Sequence, residues 1–215
     1  MNTRIYQEDM AYKNFFIRII FSLLIFLIYL FSLSDKFFLL CLGILIYFII
    51  YFEIKIKFKK NFNIIIIYIS ISLINFISYI YNFFDIYLFN LLIFTIISLD
   101  SFSYLYGSFF GKTYIFKKIS PNKTLEGYLG GIFLTNILYI SYILFYKNIS
   151  DQLINIFLLN IIIIFSIFGD LIQSFFKRKN SIKDSSNFLP GHGGFFDRFD
   201  SFISSIIFLS IYSIY

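Results

Sequence analysis

Residues 169–201, GDLIQSFFKRKNSIKDSSNFLPGHGGFFDRFDS, decide how this chain is read. They hold five of its eighteen Lys and Arg, four of its twelve Asp and Glu, its only His and one of its two Pro, in a protein that is 59% hydrophobic. Apolar runs flank the stretch on both sides. A polar segment set between runs as long as a bilayer is thick reads as a loop, partly helical, held at a membrane surface.

Composition agrees with that placement. Charged residues make up 14% of the chain, against about 25% in an ordinary soluble domain. The mean hydropathy is +0.82, which belongs to the membrane class. Trp is absent while Phe and Tyr are heavily used. The skew toward Ile, Phe, Tyr, Asn and Lys has the character of drift in a coding sequence poor in G and C, and clustered Gly and Pro stand out against it. Cys41, the single cysteine, lies in an apolar run and reads as a small apolar residue. A net charge of +6 on a soluble domain would point to nucleic acid. Here the charges lie between apolar segments, so they are topology signals and contacts for anionic lipid, with no nucleic-acid partner.

Outward from the central stretch, apolar runs are expected to span at residues 15–33, 37–52, 62–80, 83–99, 128–146, 152–168 and 202–215. The first is read as a retained helix rather than a cleaved leader, because another apolar run follows at once. Ile is frequent and favours strand in soluble proteins, but unbroken apolarity over about 20 residues in lipid leaves helix as the spanning structure. The expected fold is all-α, a polytopic transmembrane helical protein with about seven spans and a polar active site at its cytoplasmic face. One membrane domain covers residues 1–215, with a polar tail at 1–14, four spans within 15–99, and a catalytic half at 100–215. The basic segment EIKIKFKKN at 53–61 reads as a connector lying on the membrane surface. With the N-terminus cytoplasmic, every Lys and Arg except Lys36 and Lys147 falls on the cytoplasmic side or at its edge. That places the protein in the cell (inner) membrane, multi-pass, with both polar regions facing the cytoplasm.

The acids Asp170, Asp184, Asp197 and Asp200 crowd one membrane boundary, where unpaired carboxylates are expensive. Asp197 and Asp200 share a face if the last helix begins there. A hard divalent cation such as Mg²⁺ would neutralise them, and this many acids leave room for a second cation. The alternative is interfacial ion pairing with Lys177, Arg178, Lys183 and Arg198. Those cations, with Lys112 and Lys123, are also suited to surround phosphates. The turn at Gly193 and Gly194 lets backbone approach a ligand, and His192 beside it is a hydrogen-bond donor or an acid–base group. GSFFGKT at 107–113 is not a P-loop: it is one residue short and no α/β domain surrounds it. Carboxylates, cations and a Gly-rich turn at one face of a membrane core point to phosphoryl or nucleotidyl transfer to a lipid.

Ser174, Lys177, Arg178, Lys183, Asp184, the Pro190 to Gly194 turn, Asp197, Arg198 and Asp200 together resemble the signature of the phosphatidate cytidylyltransferases, or CDP-diacylglycerol synthases. Asp100, Tyr104, Gly107, Gly111, Lys112, the SPNKT segment at 120–124, Glu126, Gly127 and Gly169 to Leu171 resemble earlier motifs of the same family. The resemblance covers residues 100–201. It implies Mg²⁺-dependent reaction of CTP with phosphatidate to give CDP-diacylglycerol and pyrophosphate, in a polytopic membrane enzyme that tends to be a homodimer. By that resemblance Asp170 and Asp197 are metal ligands with Asp200 supporting. Ser174, Lys177, Arg178, Lys183 and Arg198 position phosphates, Lys123 and Glu126 belong to the same site, and His192 is a site residue of open role. Two departures stand out. Members are usually longer at the N-terminus, and they commonly carry Glu at the position of Gln173. If that Glu holds a cation, Gln173 removes one charge; if it only supports a ligand, Gln keeps the hydrogen bonds. A CTP-dependent kinase of a lipid alcohol such as a polyprenol or phytol is the rival enzyme reading, and a transporter or assembly protein the non-enzymatic one.

Overall fold

A computed structural model describes residues 23–146, 152–186, 188 and 193–214. Among the described residues seven α-helices follow one another: α1 Leu23–Ser32, α2 Lys36–Lys57, α3 Phe62–Asn82, α4 Ile86–Phe110, α5 Leu125–Tyr146, α6 Gln152–Lys179 and α7 Phe196–Tyr212. No strand occurs among the described residues, and Tyr114 and Thr124 form an isolated bridge. From α2 through α6 each helix includes a segment long and apolar enough to cross a membrane. The fold is all-α and polytopic, as expected. The tail at 1–14, the start of the first run, and the loop bearing Lys147 lie outside the described residues.

Helix boundaries differ from the hydropathy runs in one consistent way: the helices continue past the first charged residue. At its C-terminal end α2 carries Glu53, Lys55 and Lys57, so half of the expected surface connector is helical. Asp100 lies within α4, which runs on to Phe110. Asp170 and Lys177 lie within α6, which ends only at Lys179. An apolar run measures the thickness of hydrocarbon, but a helix ends where its backbone hydrogen bonds end, and polar side chains with partners do not interrupt them.

Start signals are local and clear. Asp35 caps α2 by accepting from Phe37 N at 2.9 Å, and Asp85 caps α4 by accepting from Tyr87 N at 2.7 Å. The chain alternates direction, so the C-terminal ends of α2, α4 and α6 meet the N-terminal ends of α3, α5 and α7 at one end of the bundle. Asn180 ties that end together: its Oδ1 accepts from Lys59 N and Lys60 N at 2.9 and 2.7 Å.

The core is a band of Ile, Leu, Phe and Tyr drawn mainly from α2, α3, α4, α6 and α7, including Ile50, Ile65, Leu92, Ile162 and Ile206. Lipid tails are as apolar as these side chains, so close packing rather than water exclusion selects neighbours. The α4–α5 contact is the most extensive in the molecule. It is built on small residues: a Cβ added to Gly127 would lie 2.9 Å from Ser103 O, 3.0 Å from Thr124 Oγ1 and 3.2 Å from Gly107 Cα. Two of those three atoms are backbone and cannot yield. Gly127→Val is therefore expected to destabilise the folded protein by about 1–3 kcal/mol. Thermal unfolding in detergent, compared with a substitution at lipid-facing Leu129, measures it.

Candidate functional site

The site forms where α4, α6 and α7 meet the 111–124 segment. Asp170 and Gln173 share a face of α6, with Lys177 one turn further on. Asp197 and Asp200, three residues apart at the start of α7, share the facing side. Gly169 permits the approach, since a Cβ there would strike Asp200 backbone and the Ser204 hydroxyl. Gln173 Nε2 donates to Phe196 O at 2.7 Å and to Asp197 Oδ1 at 3.0 Å, and Lys177 Nζ donates to the same carboxylate oxygen at 2.8 Å. The other Asp197 oxygen accepts from Ser185 N at 2.7 Å, Ser185 Oγ at 2.9 Å and Gly194 N at 3.1 Å. Five donors thus surround one carboxylate. The Lys177–Asp197 ion pair is of the kind the alternative reading of the acids describes, and the hydrogen bonds are additional to it.

One turn toward the bilayer, Asp170 pairs with Lys123 from the 111–124 segment. Asp100 on α4 and Asp200 on α7 lie within electrostatic reach of that pair, and Arg198 within reach of Asp100. Burial works against the Lys123 ammonium, but the Asp170 carboxylate and then Tyr128 outweigh it and hold the group above its ordinary range. The ammonium also lies 5.5 Å from the centre of the Tyr128 ring. Asp100, Ser103, Lys123, Tyr128, Ser166, Asp170 and Ser201 line a cavity of about 10 Å³, room for one water-sized sphere. Ser103 Oγ and Ser166 Oγ are buried there without a hydrogen-bond partner, as is Gln173 Oε1 nearby. Orphaned oxygens beside the Asp100 and Asp170 carboxylates are oxygen chemistry of the kind a hard cation takes. Among the described residues no group of three or more Asp, Glu, His or Cys stands ready to enclose a metal. Mg²⁺ needs only one or two carboxylates when water and substrate phosphate complete its shell, so the donor chemistry fits it.

Several sequence candidates turn out to fasten the surrounding segments. Glu126 accepts from Lys112 N at 3.0 Å, Thr113 N at 3.0 Å and Thr113 Oγ1 at 2.7 Å, which folds the 111–124 segment back on α5. Arg178 Nε donates to Ile119 O at 3.0 Å and joins that segment to α6. Ser174 is buried on α6, while the Lys112, Lys183 and Arg198 side chains are exposed. Gly193 has φ +85°, a left-handed conformation that favours glycine. His192, Pro190 and Gly191 lie outside the described residues.

Two acidic residues enter the site without a role from sequence. Asp100 belongs to a quoted motif, and its position inside an apolar helix is the signal that marks it. Glu53 stands in the expected surface connector yet is fully buried. It belongs to the site end of the bundle, and no local spacing announces it.

Geometry and composition define a multi-pass helical membrane protein with a charged site at one end of its bundle. The chain belongs to the Cytidylyltransferase family, whose profile it matches over residues 2–215. Among its relatives, the phosphatidate cytidylyltransferase of Staphylococcus aureus (strain COL) is 43% identical over 116 residues, 52% of this chain and 43% of the relative. The phosphatidate cytidylyltransferase of Staphylococcus haemolyticus (strain JCSC1435) is 45% identical over 116 residues, with the same shares. That of Bacillus subtilis (strain 168) is 44% identical over 115 residues, 52% of this chain and 42% of the relative. The matched stretch therefore spans less than half the length of these relatives.

Lys123→Met is expected to strand Asp170 beside Asp100 and Asp200. With a third of the Lys123 side chain exposed, the loss is discounted from a buried pair to about 1–3 kcal/mol. Because the Lys123 pKa is raised on folding, its contribution is complete below the ordinary lysine range and fades only as pH climbs through the raised value. Wild type should outlast the variant in thermal unfolding by the same margin at pH 7 and pH 8.5; a gap that closes across this interval overturns the assignment.

Proposed function

We propose that this protein transfers the cytidylyl group of CTP to phosphatidate, giving CDP-diacylglycerol and pyrophosphate. The observation that carries the reading is the convergence of Lys123, Asp170, Lys177, Asp197 and Asp200 from three parts of the chain. Membership of the Cytidylyltransferase family and the names of the matched relatives support it. In the reaction a phosphate oxygen of phosphatidate bonds to the α-phosphorus of CTP while the bond from that phosphorus to the departing pyrophosphate breaks. The second pKa of a phosphate monoester is about 6, so the nucleophile is largely ionised at neutral pH and needs no dedicated base.

The obstacle is the approach of two polyanions. Lys123 and Lys177 hold Asp170 and Asp197 in check and are the ammoniums that can turn toward phosphate, with Arg198, Lys183, Lys112 and Arg178 around the rim. Asp170, Asp197 and Asp200, joined by Asp100, would hold Mg²⁺, with room for a second cation. Bound there, the metal would supply positive charge to the phosphates. Glu126, Gly193 and Gly194 shape the surrounding backbone, and Ser174 and His192 are assigned to the same site. On this reading the protein lies in the cell membrane with the site facing the cytoplasm, in keeping with its cationic end. It meets phosphatidate and anionic lipid there and works as a homodimer.

Purified protein given labelled CTP, phosphatidate and Mg²⁺ should release pyrophosphate and form a CDP-lipid. Chelation of Mg²⁺ should abolish turnover, and Asp170→Asn should cut it by about 10²-fold or more while leaving the protein in the membrane. CDP and a lipid phosphate as products would instead identify a lipid-alcohol kinase. Absence of any CTP consumption would leave the non-enzymatic reading.

A further inference from the structure

Glu53 is a carboxylate with no exposed surface and no ion-pair partner among the described residues. Burying such a group costs several kcal/mol unless donors replace its water. Four donors do so, all 132 to 143 residues further along the chain. Oε1 accepts from Ser186 Oγ at 2.6 Å and Phe195 N at 2.7 Å, and Oε2 accepts from Phe196 N at 2.9 Å and Ser185 Oγ at 3.0 Å. Phe195 and Phe196 open α7, where backbone N–H groups have no helical partner and Phe195 provides no side-chain cap. A side chain from the end of α2 therefore caps α7 from another part of the chain. Gly194 fits this arrangement, since a Cβ there would lie 2.6 Å from Glu53 Oε2 and collide with the Ser185 hydroxyl.

The link to the site runs through Ser185. Its hydroxyl, with a single proton to donate, is shared between Glu53 Oε2 at 3.0 Å and Asp197 Oδ2 at 2.9 Å, and its N–H holds Asp197 Oδ2 at 2.7 Å. We infer that Glu53 is a positioning residue: through Ser185 and the first turn of α7 it sets the place of the Asp197 carboxylate. It touches no reacting atom. For catalysis this inference rests on the reading under Proposed function; its structural half does not.

Glu53→Gln is the informative variant. It keeps the volume of the side chain, and the Phe58–Phe196 ring contact, 5.7 Å between centres, still holds α2 against α7. Gln replaces one acceptor oxygen by an NH₂ group, which cannot accept from a backbone N–H. At least one of the Phe195 and Phe196 amides should then exchange about tenfold faster in hydrogen-exchange measurements on detergent-solubilised protein. Turnover per folded molecule should fall by about 10²-fold, the scale of a small misplacement, with CTP affinity within about twofold of wild type. Ser185→Ala should reproduce the loss of turnover, and Ser186→Ala, which does not touch Asp197, should not. Unchanged amide protection in Glu53→Gln overturns the proposal. So does a turnover that declines only with the folded fraction, or an equal loss in Ser186→Ala. If wild type itself transfers no cytidylyl group, the proposed function falls, and the exchange measurement alone decides the placement claim.

Discussion

A carboxylate drawn out of water must find hydrogen-bond donors or a positive charge, and in this protein that requirement organises one whole end of the molecule. Glu53 is met by hydroxyls and backbone N–H groups, Asp197 by an ammonium and four further donors, Asp170 by Lys123. Each solution joins segments far apart in sequence. Lys123 brings the 111–124 segment to α6, Asp197 binds α6 to α7, and Glu53 binds α2 to both the 185–186 turn and α7. Removing one partner from such a set leaves the other buried and unsatisfied, which costs far more than the contact is worth in the intact protein. The polar end is therefore held by mutual necessity, while the apolar remainder is held by shape.

Shape is supplied by small residues where large ones would be expected from composition. In a chain with 33 Phe and 18 Tyr, the closest helix approaches use Gly and Ser. Gly107, Gly127, Gly130 and Gly131 lie along the α4–α5 seam. Ser201, Ser204 and Ser205 line α7, with Ser201 Oγ donating to Ser166 O on α6 at 3.2 Å. These contacts bring α6 and α7 near enough for short side chains such as Asp197 and Gln173 to meet. Helices separated by Phe would leave that pair out of hydrogen-bond range. Packing along the bundle and chemistry at its end are one geometric problem.

The bundle was legible in the sequence because hydrocarbon thickness imposes a length on apolar runs, and the charge asymmetry ordered their direction. The ends were less legible. Hydropathy stops at Glu53, Asp100 and Asp170, but α2, α4 and α6 do not, since a charged residue with a partner costs a helix little. Asp197 and Asp200 could be placed on one face from their spacing alone. The Lys177–Asp197 pair was within reach of the same reasoning, because the acids and cations of residues 169–201 had either to pair or to share a ligand. Glu53 was beyond it: its partners lie in another part of the chain, and the alternating lysines around it, Lys55 and Lys57, disguise it as part of a solvated strip. For Gln173 the sequence allows two roles. Its amide donates to both Phe196 O and Asp197 Oδ1, two acceptors that a carboxylate in its place would repel. In this chain it supports Asp197.

Charge balance limits what this end of the bundle can receive. Among the described residues, Asp100, Asp170 and Asp200 gather around the cavity, and Lys123 and Arg198 are the cations within their electrostatic reach. Asp197 and Lys177 nearby offset each other. Burial and then the Asp170 carboxylate push the Asp200 pKa up to about 8, so the cluster is close to balanced near neutral pH and offers a bare phosphate no surplus of positive charge, despite the excess of lysine over the chain as a whole. Net charge governs long-range attraction to an anionic surface, but local charge governs the last few ångströms. A polyanionic ligand therefore has to bring positive charge with it or draw Lys123 and Lys177 away from their carboxylates. On the function proposed above, a nucleoside triphosphate carrying a divalent cation would meet the first condition, and the same exchange of counter-charge would favour the second. The Lys123–Asp170 and Lys177–Asp197 salt bridges are what keep those carboxylates tolerable in partly buried positions.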